Sequence, residues 1–392
     1  MSGVFLPTIL MSCEILKVKM KIIYIVSTLE MVGPTSQLLY ICSNLEGRAV
    51  PVVVTLSPEK DRTRLEDFVK SGIRVIQLNL SRLEGLFSAR RKLAQVIQHE
   101  RPDILHSQGL RADGLVSSFC GKYATVSTIR NFPQLDFSMT YGSLSGRLMT
   151  FIQGRALRRI TSVVGVSEAV TANLKKLFEL RNVLTIRNGV DHVKFHPLSL
   201  EDKACLRDYL GLNHDAILFV TTGHITARKD PLTLINAFRK AFSCSESVEL
   251  IFVGDGDLVD VCKEAAGDAK IHFVGSSNEV WKYLQVSDYF VSSSLAEGMP
   301  NSVLEALATK LPVILSDISP HTELLSVGYD VGELFETSNV ASLAQRLTAI
   351  CGKDRAYYKE ALDSFVEVEL TALSMARRYL SLYKSILEPN RD

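Results

Sequence analysis

The sequence predicts an α/β fold in two domains, each built on a mostly parallel sheet and facing a shared cleft. Three observations carry that expectation. Short, continuously apolar runs alternate with helical stretches, the pattern of strands covered on both faces. The alternation restarts after a polar, Pro-containing stretch near residues 192–215. A chain of 392 residues also exceeds what one hydrophobic core usually organises.

In chain order the first set of strands reads "KIIYIVS", "AVPVVVTLS", "RVIQLN", "DILHSQ", "ATVSTI", "SVVGVS" and "VLTIRNG". Helices are expected at "TSQLLYICSNL", "RTRLEDFVKSG", "LFSARRKLAQVIQHE" and "SEAVTANLKKLF". In the third of these, Leu86, Arg90, Leu93 and Ile97 trace one helical face, with the arginine at its edge. The second set reads "AILFVTTG", "VELIFVGDG", "KIHFVG", "YFVSSS" and "LPVILSD", with helices at "DPLTLINAFRKAFS", "NEVWKYLQVS" and "PNSVLEALATK". A long helix near 372–388 closes the chain. The expected division is 1–195, with a core from about 21 and residues 1–18 as an extension, then 196–371, then a terminal segment 372–392 that crosses back to the first domain. Met11 and Met20 are alternative starts.

Lys plus Arg number 44 and Asp plus Glu 43, a formal charge of +1. That balance gives no support to bulk nucleic-acid binding. Seven scattered cysteines (Cys13, Cys42, Cys120, Cys205, Cys244, Cys262 and Cys351) form no Cys-x-x-Cys pair. They suggest a reducing compartment and individually buried thiols, not disulfides or a zinc site. No apolar run reaches the roughly 18 to 20 residues that span a bilayer. The N-terminal stretch lacks the basic start of a signal peptide, and Glu14 interrupts it. A soluble, cytoplasmic protein is expected, with peripheral membrane contact left open.

The candidate chemistry clusters at predicted strand ends, where parallel sheets bind ligands. Gly33 precedes a helix that starts at Pro34 or Thr35, a turn that lets backbone N–H groups approach an anion. The end of "DILHSQGLRAD" offers His106, Gln108, Arg111 and Asp113. Arg130 and Asn131 end another strand, and Ser167, Asn188 and Asp191 end two more. Ser167 is equally a helix cap. In the second domain "TTGHITARKD" places Gly223, His224, Arg228 and Lys229 between strand and helix. Two cations near a helix start suit a diphosphate. Gly254 and Gly256 make either a platform for a flat base or a plain turn. The richest stretch is "AEGMPNSVLEALA". With a helix starting at Asn301, the N–H groups beside Gly298, Met299, Pro300 and Ser302 can cradle a phosphate without a metal. Glu305 inside that helix and Glu297 before it can each accept sugar hydroxyls.

Together these residues make the chain resemble glycosyltransferase family 4, retaining enzymes of the two-lobed GT-B fold that use nucleotide-sugar donors. The resemblance runs from about Lys21 to the terminal helix, and Glu297 and Glu305 match the family's Glu-x7-Glu motif. It implies that Glu297 contacts the donor sugar, that Glu305 holds the ribose, and that Lys229 stabilises the departing diphosphate. His224 stands where an arginine is common, so Arg228 is the candidate replacement. Gly33 resembles the first-domain glycine beside the diphosphate. Gln108 stands where the family often has a histidine near the donor sugar, which leaves His106 or Gln108 for that role. No metal or other cofactor is implied, and a UDP-sugar is the preferred donor, a GDP-sugar the next.

In "GPTSQLLYICSNL" and "HSQGLRAD" the first domain also resembles enzymes of bacterial surface-polysaccharide assembly (O-antigen, capsule, exopolysaccharide), which commonly extend lipid-linked oligosaccharides at the cytoplasmic membrane face. Residues 130–160 interleave Phe137, Met139, Tyr141, Leu144, Leu148, Met149 and Phe151 with Arg147, Arg155, Arg158 and Arg159. That composition fits either an anionic membrane surface or a buried helix with a solvated basic edge. A nucleotide-sugar epimerase and a non-catalytic nucleotide-sugar binder are the competing functions.

Overall fold

The computed structural model describes residues 19–388 apart from 244, 327, 354 and 355. The expected extension 1–18, with Cys13, and Cys244 lie outside the described residues. The first lobe has a seven-stranded sheet: β1 (Met20–Val26), β2 (Ala49–Thr55), β3 (Arg74–Gln77), β4 (Ile104–Gln108), β5 (Ala124–Ile129), β6 (Ser162–Gly165) and β7 (Val183–Thr185). Its order is β3-β2-β1-β4-β5-β6-β7, and every pairing is parallel. The second lobe has six parallel strands: β8 (Ile217–Thr222), β9 (Val248–Val253), β10 (Ile271–Gly275), β11 (Tyr289–Ser292), β12 (Val313–Ser316) and β13 (Gly332–Phe335). The order β10-β9-β8-β11-β12-β13 is that of a Rossmann sheet.

Helices on both faces explain why the central strands are largely apolar. Ile22, Ile23, Tyr24 and Ile25 of β1 are all inaccessible. Even residues of this run join one core layer and odd residues the other. The order reverses between β1 and β4 and again between β8 and β11, so each lobe opens a crevice at those strand ends. The crevices face one another.

The last helix, Ala372–Leu387, returns to the first lobe. Met375, Tyr379, Leu380 and Tyr383 join the core layer of Ile22, Tyr24 and Ile104.

Several elements differ from the sequence expectation. β13 was not foreseen, and the stretch taken as a polar connection contains the helix Leu200–Leu210, capped by Ser199. The expected continuous helix around residue 88 is two, Arg82–Phe87 and Ala89–Glu100, broken where the Ser88 hydroxyl bonds the Glu84 carbonyl. Leu86 therefore leaves the buried face of Leu93 and Ile97 and is exposed. Of the described cysteines only Cys42 and Cys262 are buried, while Cys205 is exposed; the expectation of uniformly buried thiols fails.

Residues 130–160 form two packed helices, Pro133–Tyr141 and Ser143–Leu157. Gly146, Thr150, Gln153, Gly154 and Leu157 face inward. Leu144, Leu148, Phe151 and Ile152 face out, with Leu144 83% exposed. Among the described residues no helix is long and apolar enough to cross a membrane.

Candidate active site

The helix Asn301–Ala308 begins in the cleft with Pro300 as its cap and no side-chain hydrogen bond there. The N–H groups of Val303 and Leu304 turn to the Pro300 carbonyl at 3.1 and 3.2 Å. Those of Asn301 and Ser302 remain at the cleft end. Across the cleft, Gly33 opens the helix Gly33–Ser43. A Cβ on Gly33 would stand 2.6 Å from the Asn301 amide nitrogen. Gly298 is constrained more tightly, since a Cβ there would lie 1.8 Å from the Arg130 carbonyl oxygen, which is fixed backbone. These two glycines let the lobes meet.

Further bonds join the lobes. The Ser167 hydroxyl donates to the Gly298 carbonyl at 2.8 Å while accepting from Val170 N–H, so it is both a cap and a tie. Glu323 accepts the N–H groups of Glu168 and Ala169 and the Arg187 guanidinium. Asn301 Oδ1 accepts from Asn188 at 2.8 Å and from Gln37 at 3.3 Å.

Glu297 is buried beside this helix. Its carboxylate accepts from Lys229 Nζ, from Arg228 Nη1 at 3.0 Å and from Ser294 Oγ at 2.9 Å. Burial alone would raise its pKa, but the two cations override burial and hold it at about 2. Arg228 also donates to the Ala296 carbonyl. Glu305 has the opposite character. Among the described residues nothing hydrogen-bonds its carboxylate. Burial pushes it up to about 7, against the pull of Lys194, Arg64 and Lys229. Lys194 lies over the Trp281 ring at 4.3 Å.

Other expectations need correcting. His106 is inaccessible, packed against Tyr24 and Tyr379. Its ring nitrogens lie 2.7 Å from Tyr383 Oη and 2.8 Å from Thr128 Oγ1. Burial lowers its pKa to about 3. It is a core residue held by the terminal helix and cannot reach a ligand. Asp113 is likewise sealed, accepting from Ser107, Ser127 and Gln153, and Arg111 donates to Ser57. Of that cluster Gln108 lines the cleft, accepting twice from Arg130.

Gly254 and Gly256 make room for neighbouring backbone. A Cβ on either would lie 1.8 Å from the Gly223 oxygen or 2.3 Å from the Ile225 oxygen. His224 is exposed and lines a small recess with Lys229, Ser293 and Ser294.

Sequence reasoning missed His321. It is buried next to Ser316, with its Nε2 unpartnered, and burial lowers its pKa to about 4 although Glu297 raises it. Its partner Ser316 is only five residues before it, but its nearness to Glu297 is set by tertiary packing.

A larger cavity of about 290 Å³ opens in the first lobe beneath Val32 and Pro34, lined also by Gln108, Arg130, Asp136 and Phe137. Asp136 lines the adjoining gap to Arg228 and Glu297 as well. Among the described residues no group of three or more His, Cys, Asp or Glu side chains is placed to hold a metal.

Two Rossmann lobes with cations, a carboxylate and a helix start converging across their cleft define the GT-B class of glycosyltransferases, which move a sugar from a nucleotide donor to an acceptor. Residues 33–194 match the family described as Glycosyltransferase Family 4, and residues 216–353 match Glycosyl transferases group 1. The two matches span both lobes, and the chain belongs to this glycosyltransferase family.

Among its relatives is the Escherichia coli UDP-Gal:alpha-D-GlcNAc-diphosphoundecaprenol alpha-1,3-galactosyltransferase, 25% identical over 309 residues, which are 74% of this chain and 78% of that protein. The O-antigen biosynthesis glycosyltransferase WclY of Escherichia coli is 23% identical over 377 residues, covering 94% of this chain and 99% of WclY. The same fold occurs in a glycosyltransferase of Rickettsia africae, with TM-score 0.74, 21% identity and coverage of 95% of this chain and 99% of that one. Anabaena Alr3699/HepE in complex with UDP-glucose has TM-score 0.77 at 18% identity, covering 93% of this chain and 100% of its own.

Proposed function

We propose that the protein is a retaining hexosyltransferase. In this reading it moves a hexose or N-acetylhexosamine from a UDP-sugar, or failing that a GDP-sugar, to a lipid-linked surface-polysaccharide acceptor. The observation that carries the proposal is the buried Glu297, clamped by Lys229 and Arg228 beside the start of the helix Asn301–Ala308.

The donor diphosphate would lie at that helix start against Gly33, where Lys229 and the free N–H groups offset the charge that develops as it leaves. Glu297 would then turn one carboxylate edge to the sugar hydroxyls, and Glu305 would accept the ribose hydroxyls. A carboxylate held at about 2 is a hydrogen-bond acceptor at neutral pH and a poor general base. That supports a donor-binding role for Glu297 and attack on the face from which the diphosphate departs.

The named relatives act in O-antigen and diphosphoundecaprenol chemistry, which supports a lipid-linked acceptor. The exposed Leu144, Leu148, Phe151 and Ile152, flanked by Arg147, Arg155 and Arg159, support peripheral contact with an anionic membrane, at the cytoplasmic face in this reading.

The test is a panel of nucleotide sugars, first for binding and then for transfer to short-chain diphosphate-linked acceptors, with the product's anomeric configuration read by NMR. The proposal expects UDP-sugar consumption and a product that keeps the donor's configuration. An inverted product removes the retaining assignment. Altered donor with untouched acceptor indicates an epimerase, and binding without turnover a sensor.

A further inference from the structure

We propose that the first-lobe cavity receives an acceptor with an anionic group, a carboxylate or phosphate beside the sugar being extended, and that Arg130 grips it. This rests on the transferase reading above and adds the cavity and the side chain that recognise the acceptor's charge.

Arg130 directly follows β5 and lines the cavity of about 290 Å³. Its Nε and Nη2 donate to Gln108 Oε1 at 3.2 and 3.1 Å, and its Nη1 donates to Asn188 Oδ1 at 2.9 Å. Both partners are neutral amides, and among the described residues no carboxylate pairs with it. A guanidinium carries five N–H donors in a planar fork, so two remain after those three bonds.

A half-buried cation without a counter-charge is costly, and burial lowers the pKa of this one. The acids that share the cavity wall do not supply that charge. Glu30 is paired with Lys60 at 3.0 Å. Asp136 faces Arg228 across the adjoining gap and is hydrogen-bonded by Asn131, so its charge is directed there. Gln108 adds a second donor without an acceptor, its Nε2 being buried and unpartnered. Its Oε1 is committed to Arg130, so the amide cannot flip to relieve this. The end of β5 is thus rich in donors and short of acceptors.

The rest of the wall fits a sugar that carries such a group. Ser27, Thr28 and Asn131 offer polar contacts, and Val26, Leu110 and Phe137 offer apolar ones. The adjoining gap leads past Asp136 to Glu297 and Gly298, where the donor sugar is expected.

The test uses the full-length protein saturated with UDP and three soluble probes. These are octyl N-acetylglucosaminide, the corresponding octyl-diphosphate-linked sugar, and an octyl glucuronide. Titration should show at least one charged probe binding about tenfold or more tighter than the neutral one, the scale of a charge-assisted bond. The diphosphate and glucuronide arms separate a lipid-linker phosphate from a sugar carboxylate. Arg130→Gln should erase the preference, Arg130→Lys should retain part of it, and UDP affinity should stay within about twofold in both.

Equal binding of charged and neutral probes by the wild type overturns the proposal, as does binding of neither charged probe. So does a uniform loss in Arg130→Gln across UDP and all probes, because Arg130 would then be only a strut for Asn188 and Asn301. Failure of the wild type to bind UDP or any nucleotide sugar defeats the transferase reading itself. Intact donor binding without a charge preference defeats only this inference.

Discussion

Glu305 gives the sharpest quantitative consequence. Its carboxyl is raised from 4.5 to about 7 by burial, and among the described residues no hydrogen bond offsets that burial. The folded state therefore holds a proton that the unfolded chain releases near 4.5. The associated stability is fully present below that value and is lost as pH rises through about 7. A shift of this size corresponds to about 3 kcal/mol, an upper bound on what ionising Glu305 costs the ligand-free fold.

Nucleoside binding has the opposite sign. Only the ionised carboxylate accepts two ribose hydroxyls, so affinity should rise with pH. The ionised fraction is roughly one tenth at about pH 6 and roughly nine tenths at about pH 8, an expected gain of about tenfold. Uridine is the right probe because it carries no phosphate that titrates in this window, and its affinity can be followed by NMR. Glu305→Gln should flatten the profile, weaken binding above neutrality, and raise Tm by a few degrees at about pH 8. A wild-type uridine affinity that is flat across this range, or a Glu305→Gln variant with unchanged affinity, would refute the ribose assignment.

Other consequences are simpler to state. Lys229→Ala removes one of two cations on Glu297 and a partner for the diphosphate, and calorimetry should show UDP affinity falling by about tenfold or more. Glu297 itself, lowered from 4.5 to about 2, contributes stability that is present above about 4.5 and lost as pH falls through about 2. Glu297→Gln should therefore reduce the dependence of Tm on pH in that acidic window. His106→Ala should cost about 2–4 kcal/mol in denaturant unfolding by opening a cavity among Tyr24, Tyr379 and Tyr383, with UDP affinity unchanged in the folded protein. Replacing Leu148 and Phe151 by Ser, with Arg155 and Arg159 by Gln, should reduce co-sedimentation with anionic vesicles at low salt. It should leave UDP binding intact.

Much of the fold was legible because buried parallel strands write themselves as apolar runs. All the first-lobe strands stand where the sequence places them, whereas β13 has only "GELF", too short and too polar to announce a strand. The Leu200–Leu210 helix did carry local signals, Ser199 as cap and Gly211 after its end; its charged composition disguised it as a linker. Glu297, Lys229 and Gly33 were legible as candidates because turn, charge and helix start lie close in sequence. The role of His106 was not. Its partners Tyr379 and Tyr383 lie more than half the chain away, and burial by a distant helix leaves no local mark. Gly254 and Gly256 stayed ambiguous for a similar reason, since a glycine needed by neighbouring backbone looks the same as one needed by a ligand.

The central claim is that Glu297 meets the donor's sugar while Glu305 meets its ribose. Calorimetric competition between UDP and intact UDP-sugar, in Glu297→Ala and Glu305→Ala, tests it most directly. Truncating a buried charge-assisted contact should cost about 2–5 kcal/mol. The account predicts that Glu305→Ala weakens both ligands alike, and that Glu297→Ala removes mainly the extra affinity conferred by the sugar. Equal effects of the two substitutions on both ligands, or no effect of either, would contradict it.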